Sequence, residues 1–175
     1  MEEFKFPAIH DFPPFYTKQV NEQTWKSQLA NWDGLILSYC RHYKIWSLDT
    51  GSAGDQELFT NRKINRRLKP DALKDVFSYM VKQGHAEWLD STTVLVYFKT
   101  PQEWANEISQ WITDSGQNGS VLTLYELAHG DLAANKEFYG MHDAILKKTL
   151  DILVAQNKAV WMKSNDGKIA GVKML

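Results

Sequence analysis

The chain has 175 residues, of which 43% are hydrophobic and seven are tryptophan, so general disorder is excluded and one domain or two small ones are expected. The formal net charge of −1 gives no sign of the basic surface that nucleic-acid-binding proteins normally carry. A single cysteine, Cys40, excludes an intrachain disulfide and favours a reducing compartment.

The opening segment, residues 1–20, combines prolines with aromatic side chains. We predict that it is an extended docking arm, because proline pre-orders an extended chain and lowers the entropy cost of binding in a partner groove. Alanine at Pro13 and Tyr16 should then remove little of the core. Two alternatives stay open: the segment lies on its own core, or PPFY is displayed to a WW domain, which binds the pattern PPxY. The residues predicted to contact the partner are Phe12, Pro13, Pro14, Phe15 and Tyr16.

Two stretches of the chain look like one pattern used twice. WKSQLANW and WANEISQW place apolar residues at positions i, i+4 and i+7, which predicts two amphipathic helices 79 residues apart. LKDVFSYMVKQGHAEWLD matches LKKTLDILVAQNKAVWMK at an offset of 73 residues, with a tryptophan at the same distance after each helix. The difference between the two offsets falls in a loop, where length variation is tolerated. We favour a duplicated domain over chance similarity between amphipathic helices.

Start and stop signals divide each copy into helices and a β-hairpin. Capping boxes, a helix-opening proline and a helix-ending glycine mark the ends of the helices: Thr100 with Glu103, Thr123 with Glu126, Pro70 and Gly84. The short middle helix is predicted at Leu124–His129 in the second copy and at Ile64–Leu68 in the first. Hairpins are predicted to pair residues 85–90 with 94–99, and 159–163 with 169–174.

Three helices followed by a hairpin wing is the order of a winged helix, a variant of the helix-turn-helix. The predicted fold class is therefore α+β, with two tandem winged-helix domains preceded by an extended arm rich in proline and aromatic residues. The predicted domains are the arm at 1–20, the first winged helix at 21–99 and the second at 100–175.

Winged helices often bind DNA, but the third helix of each copy carries mixed charge and lacks the side chains that read base edges. Only the stretch RKINRRLK concentrates positive charge. A solvated helix face, a contact with phosphate or acidic lipid, and an acidic protein partner all remain open for it. Its basic residues are Arg62, Lys63, Arg66, Arg67 and Lys69.

No group of residues predicts catalysis. The five histidines are scattered, and no second pair of ligands supports a metal site. Cys40 lies in a helical apolar pattern, where cysteine is usually a small buried hydrophobe. Because no nucleophile has a plausible base, we predict a non-catalytic binding protein without cofactor or metal.

Several stretches carry a resemblance to a known family. They are FPPFYTKQ near the start, LFTNRKINRRL and GHAEWLD in the first copy, SGQNGSVLTLYELAHGD in the second, and GVKML at the end. With them, the chain resembles the vacuolar protein sorting-associated protein 25 family of ESCRT-II complex subunits over almost its whole length. The main departures are the loop 48–57 and the last two residues.

The resemblance implies a subunit that helps to sort ubiquitinated cargo into multivesicular bodies. It implies that the arm, from Phe12 to Tyr16, docks on the two larger ESCRT-II subunits, with two copies of this chain in each complex. It also implies that the second domain recruits an ESCRT-III subunit, charged multivesicular body protein 6 in animals, for which residues 143–173 are the segment to inspect.

The expected location follows from the same resemblance. It implies a cytoplasmic protein that is recruited peripherally, and only indirectly, to the endosomal membrane. No apolar run approaches the roughly 20 residues of a membrane span, and the first ten residues lack the regions of a secretory signal. The competing interpretations are a tandem winged-helix protein that binds nucleic acid or belongs to a transcription complex, and a WW-domain ligand adaptor.

Overall fold

The computed structural model describes residues 2–175 and shows an α+β fold. The chain divides into two compact units, Met1–Phe98 and Lys99–Leu175. This division lies one residue before the boundary expected from the sequence. The opening segment is part of the first unit and does not form a unit of its own.

The first unit starts with two 3₁₀ turns and continues with helices and short strands. Strand β5 lies between β1 and β4 in an antiparallel sheet, while β2 and β3 form a separate small hairpin. The elements are the turns Ala8–Asp11 and Pro13–Tyr16, α1 (Glu22–Tyr43), β1 (Ser47–Asp49), the turn Ala53–Asp55, β2 (Thr60–Asn61), the turn Arg62–Ile64, β3 (Arg66–Arg67), α2 (Pro70–Lys82), β4 (Ala86–Trp88) and β5 (Thr93–Val96).

The second unit repeats the order of a long helix, an edge strand, a second long helix and two paired strands, but it has a short additional helix where the first unit has its small hairpin. Its central strand is β8, which pairs antiparallel with β6 on one side and with β7 on the other. The two predicted capping boxes are present at the starts of α3 and α4. The elements are α3 (Pro101–Asp114), β6 (Val121–Leu122), α4 (Leu124–His129), the turn Asp131–Ala133, α5 (Asp143–Ala155), β7 (Ala159–Lys163) and β8 (Ile169–Met174).

The boundaries of the elements repeat between the two units. Helices α1 and α3 begin 79 residues apart, and α2 and α5, each of 13 residues, begin 73 residues apart. Two residues after α2 and α5 the backbone is left-handed, at Gly84 (φ 79°) and Asn157 (φ 59°). Glycine and asparagine are the residues that adopt this conformation most readily. The shared spacing and shared helix end support a duplication.

The prediction of a helix at residues 64–68 is wrong. The Asn61 side chain accepts a hydrogen bond from the Lys63 N–H (3.1 Å) and starts a single 3₁₀ turn. Asn65 ends this turn in the left-handed conformation (φ 54°), and the chain returns as β3. Strands β1 and β6 were not predicted, because strands of two or three residues are too short to show an alternating pattern.

Each unit has its own buried residues. Cys40 is fully buried, and burial raises the pKa of its thiol to about 12, as suits a small core residue. The largest fully buried side chains include Trp32, Phe15, Phe59 and Phe77 in the first unit and Trp104 and Phe138 in the second.

The described residues provide neither a cluster of metal ligands nor a membrane-spanning helix. Within residues 2–175, no group of three or more His, Cys, Asp or Glu side chains is placed to hold a metal ion. None of the described helices combines the length and the apolar character needed to cross a membrane.

Candidate partner-docking surfaces

The opening segment is folded, and the prediction of an extended arm is wrong. The Phe15 N–H donates to the Phe12 carbonyl (3.0 Å) and the Thr17 N–H donates to the Pro14 carbonyl (3.2 Å), which closes a 3₁₀ turn over Pro13–Tyr16. Two prolines fit here because the first N–H groups of such a turn have no partner within it. The fixed φ of proline suits this turn as well as an extended chain.

Phe15 and Tyr16 belong to the core of the first unit. The Phe15 ring stacks on the Trp32 indole of α1, with centroids 4.0 Å apart and an interplanar angle of 6°. The Trp32 Nε1–H donates to the Phe15 carbonyl at 3.1 Å. The Tyr16 ring meets the same indole edge-on at 5.6 Å. Phe15 is 0% exposed and Tyr16 is 3% exposed, so these two side chains fix the segment to its own unit.

A network of polar groups holds the other side of the segment. The His10 carbonyl accepts hydrogen bonds from the Tyr16 hydroxyl and from Asn61 Nδ2, both at 2.7 Å. Asn61 Nδ2 also donates to Asp11 Oδ1 (2.9 Å), and Lys63 forms an ion pair with Asp11 at 2.9 Å. The hydrogen bond from Lys63 is the main cause that lowers the pKa of Asp11. Burial lowers the pKa of His10, so its neutral ring is favoured.

Sequence reasoning missed His10 and Asn61. They lie 51 residues apart in the chain, and neither belongs to a local motif. Asn61 lies within LFTNRKINRRL, a stretch that contributed to the family resemblance but to no predicted contact. A hydrogen bond between a turn and a distant hairpin leaves no periodic signal in the sequence.

The surface that the segment presents is smaller than predicted. Phe12 is 54% exposed, Pro14 is exposed and Pro13 is half-buried. Gln28 Nε2 of α1 donates to the Pro14 carbonyl at 3.0 Å and holds the turn from beneath. Of the five predicted contact residues, Phe12, Pro13 and Pro14 therefore form an outward ridge, which we call the Phe12 ridge.

The buried Tyr16 and the 3₁₀ turn bear on two expectations drawn from the sequence. The expectation that alanine at Pro13 and Tyr16 removes little core is wrong, because Tyr16 is buried and its hydroxyl is hydrogen-bonded. The WW-ligand interpretation is disfavoured, because such ligands bind as polyproline II helices and this segment is a 3₁₀ turn with its tyrosine turned inward.

Most of the basic stretch lies on the hairpin of β2 and β3, and its last residue, Lys69, is the N-cap of α2. Lys63 pairs with Asp11, and Arg67 pairs with Asp55 at 3.1 Å. Arg66 donates to the backbone carbonyl of Asn65 at 3.1 Å. All five basic side chains are exposed, and ion pairs neutralise two of them, so the stretch is mainly a solvated hairpin.

The second unit exposes apolar side chains on its sheet. Val121 and Val160 both lie opposite Lys173, one on each neighbouring strand. Met162, two residues along β7 from Val160, faces the same way, and all four side chains are exposed. We call this group the outer sheet face; most of it falls within residues 143–173, the segment that the family resemblance indicated.

A comparison with known families shows to which family the chain belongs. A model of an ESCRT-II complex subunit matches residues 9–142. The chain belongs to the ESCRT-II complex subunit family. Two relatives named vacuolar protein-sorting-associated protein 25 match it over 172 residues: the Danio rerio protein is 42% identical and the Homo sapiens protein 40%. These matches cover 97% of this chain, and 98% and 97% of the two relatives.

Solved structures of the ESCRT-II family agree with this fold. The crystal structure of subunit VPS25 of the endosomal trafficking complex ESCRT-II matches with a TM-score of 0.87 and 31% identity, over 97% of this chain and 98% of that one. A chain in the crystal structure of the endosomal complex ESCRT-II (VPS22/VPS25/VPS36) matches with a TM-score of 0.84, the same identity and the same coverage. The predicted tandem winged-helix fold and the predicted role as an ESCRT-II subunit in endosomal protein sorting are thereby confirmed.

Proposed function

We propose that this ESCRT-II subunit is non-catalytic and joins the two larger subunits of the complex through the Phe12 ridge. The observation that carries the proposal is an aromatic ring left 54% exposed directly beside a turn that the core holds in place. Phe12 and the two prolines make the contact, while Phe15 and Tyr16 position them from inside the first unit. All five residues thus contribute to docking, in two different ways.

A folded ridge favours tight association. Because Trp32 and Gln28 fix the turn and Asn61 fixes the residues just before it, little conformational freedom remains to be lost on binding. Aromatic side chains are also the residues that most often dominate the binding energy of an interface. An extended arm with the same residues would lose more entropy when it docks.

Phe12→Ala should weaken assembly with the two larger ESCRT-II subunits by about 1–3 kcal/mol, because it removes the exposed ring without touching the core. The measurement is a titration of purified larger subunits with the variant, with circular dichroism to check the fold. Val20→Ala is the matched control, since Val20 is a fully exposed apolar residue of the same segment outside the turn. Equal affinities for Phe12→Ala and the wild type would contradict the proposal.

We also propose that the second unit makes the outward contact of the complex, with an ESCRT-III subunit such as charged multivesicular body protein 6 in animals. The observation that supports this contact is the outer sheet face, on which Val121, Val160 and Met162 are exposed. Isolated exposed apolar residues are common, but a group on both edge strands of one sheet, on either side of Lys173, is typical of an interaction surface. Two copies of this chain in each complex would offer two such contacts.

The proposed location is the cytoplasm, with recruitment to the endosomal membrane through the rest of the complex. The larger subunits would then provide the membrane contact, since the basic hairpin of the first unit is partly neutralised by Asp11 and Asp55. The relatives are named as sorting proteins and complex subunits, which fits a protein that acts by binding.

A further inference from the structure

A cleft in the second unit lies outside both surfaces described so far. It has a volume of ≈ 430 Å³ and opens between α4 and the start of α5. Three aromatic rings and one carboxylate line it. The Tyr125 and His129 rings are 5.4 Å apart, and the His129 and Tyr139 rings are 6.0 Å apart and nearly perpendicular, at 76°. The lining residues are Leu124, Tyr125, His129, Tyr139 and Asp143.

Backbone hydrogen bonds and helix capping fix the residues that line the cleft. The Thr123 capping box fixes the start of α4, and Leu127 and Ala128 bury the opposite side of that helix, so Tyr125 faces outward and is 70% exposed. The Gly140 N–H donates to the Ala128 carbonyl at 2.6 Å and ties the loop that carries Tyr139 to the end of α4. Gly140 has φ 82°, a conformation that favours glycine. The cleft is therefore a preformed feature of the fold.

The chemistry of the cleft suits a cation. The faces of aromatic rings are negative, and they attract a cation placed over them. Asp143 is exposed and forms no ion pair or hydrogen bond through its carboxylate with any residue in the range 2–175. A planar guanidinium can stack on the tyrosines and donate two hydrogen bonds to one carboxylate, which an ammonium cannot do with the same geometry.

We propose that this cleft binds an arginine side chain of a partner protein. The identity of that partner, an ESCRT-III subunit, rests on the proposed outward contact of the second unit. The recognition itself rests only on the cleft. Tyr125 and Tyr139 supply the aromatic faces, and Asp143 supplies the acceptor for the guanidinium.

The cleft can be tested without the partner. Acetyl-arginine amide, added to the ¹⁵N-labelled full chain at millimolar concentrations, should shift the amide resonances of Tyr125, His129, Tyr139 and Asp143 in a saturable way. Acetyl-citrulline amide has nearly the same shape without the charge and should leave them unchanged, and Asp143→Asn should abolish the response to arginine. Equal responses to the two probes, or no localised response to arginine, would overturn the proposal.

The partner is tested by titrating the ESCRT-III subunit against the full chain. Tyr125→Ala and Asp143→Asn should each lower the affinity by about tenfold, whereas Leu132→Ala, at an exposed apolar residue that does not line the cleft, should not change it. Unchanged affinity in both cleft variants would overturn the assignment of the cleft to this partner. If the wild-type chain does not bind the ESCRT-III subunit, the proposed function of the second unit fails, and the arginine titration alone decides whether the cleft is a guanidinium site.

Discussion

Replacing Phe15 with alanine should lower the free energy of unfolding of the first unit by about 3–5 kcal/mol, the range for removal of a fully buried phenylalanine. The ring is 0% exposed and stacks on Trp32 at 4.0 Å, so its loss leaves a cavity beside the largest side chain of that core. Urea unfolding followed by tryptophan fluorescence measures the change, because Trp32 and three further tryptophans of the first unit contribute to the signal.

Phe12→Ala is the matched control for this measurement. It removes the same side chain three residues earlier in the same segment, but from a position that is 54% exposed. Its effect on unfolding should stay within about 0.5 kcal/mol, as for most surface substitutions. Similar small losses for both variants would mean that the opening segment is not part of the core.

Gly171→Ala should lower the free energy of unfolding of the second unit by about 3 kcal/mol, at the upper end of the usual cost of overpacking. A methyl group at position 171 would lie 2.5 Å from the Leu122 carbonyl oxygen on the neighbouring strand. The backbone of Leu122 cannot move away from this methyl group without separating β6 from β8. Since Thr123, the cap of α4, follows β6 directly, the variant should also disturb the Tyr125 cleft. Thermal unfolding by circular dichroism measures the loss.

Gly34→Ala is the control of opposite sign. Gly34 lies inside α1, where an added methyl group meets no atom within 4 Å, so alanine should stabilise the helix by about 0.5–1 kcal/mol. A destabilisation by Gly171→Ala no larger than the effect at Gly34 would contradict the close approach of β6 and β8.

The sequence predicted most of the helices and both wings because their signals are local. The Thr100 and Thr123 capping boxes lie within one turn of the helices that they start, and the tryptophans that follow α2 and α5, Trp88 and Trp161, mark the repeat. The helix predicted at residues 64–68 failed for a local reason too: Asn61 and Asn65 both favour turns, and the apolar and basic spacing alone does not reveal this.

The candidate site was predicted in composition but not in geometry. A pattern such as FPPFY names the aromatic residues without telling which of them faces the core. Trp32 decides this, and it lies 17 residues beyond Phe15 and in another element. Asn61, which fixes the other side of the segment, is 51 residues from its partner His10. Contacts at such distances leave no pattern in a single sequence, so an extended arm was the natural expectation.

We expect the opening segment to be folded onto the first unit before any partner binds. Hydrogen exchange in the free chain tests it most directly, read at the Trp32 indole N–H and at the Phe15 and Thr17 amides, which donate to carbonyls of the segment. Exchange should be much slower than in an unstructured peptide for all three protons. Exchange at the rate of an unstructured peptide would contradict it and would show that the segment is a free arm, ordered only when the complex assembles.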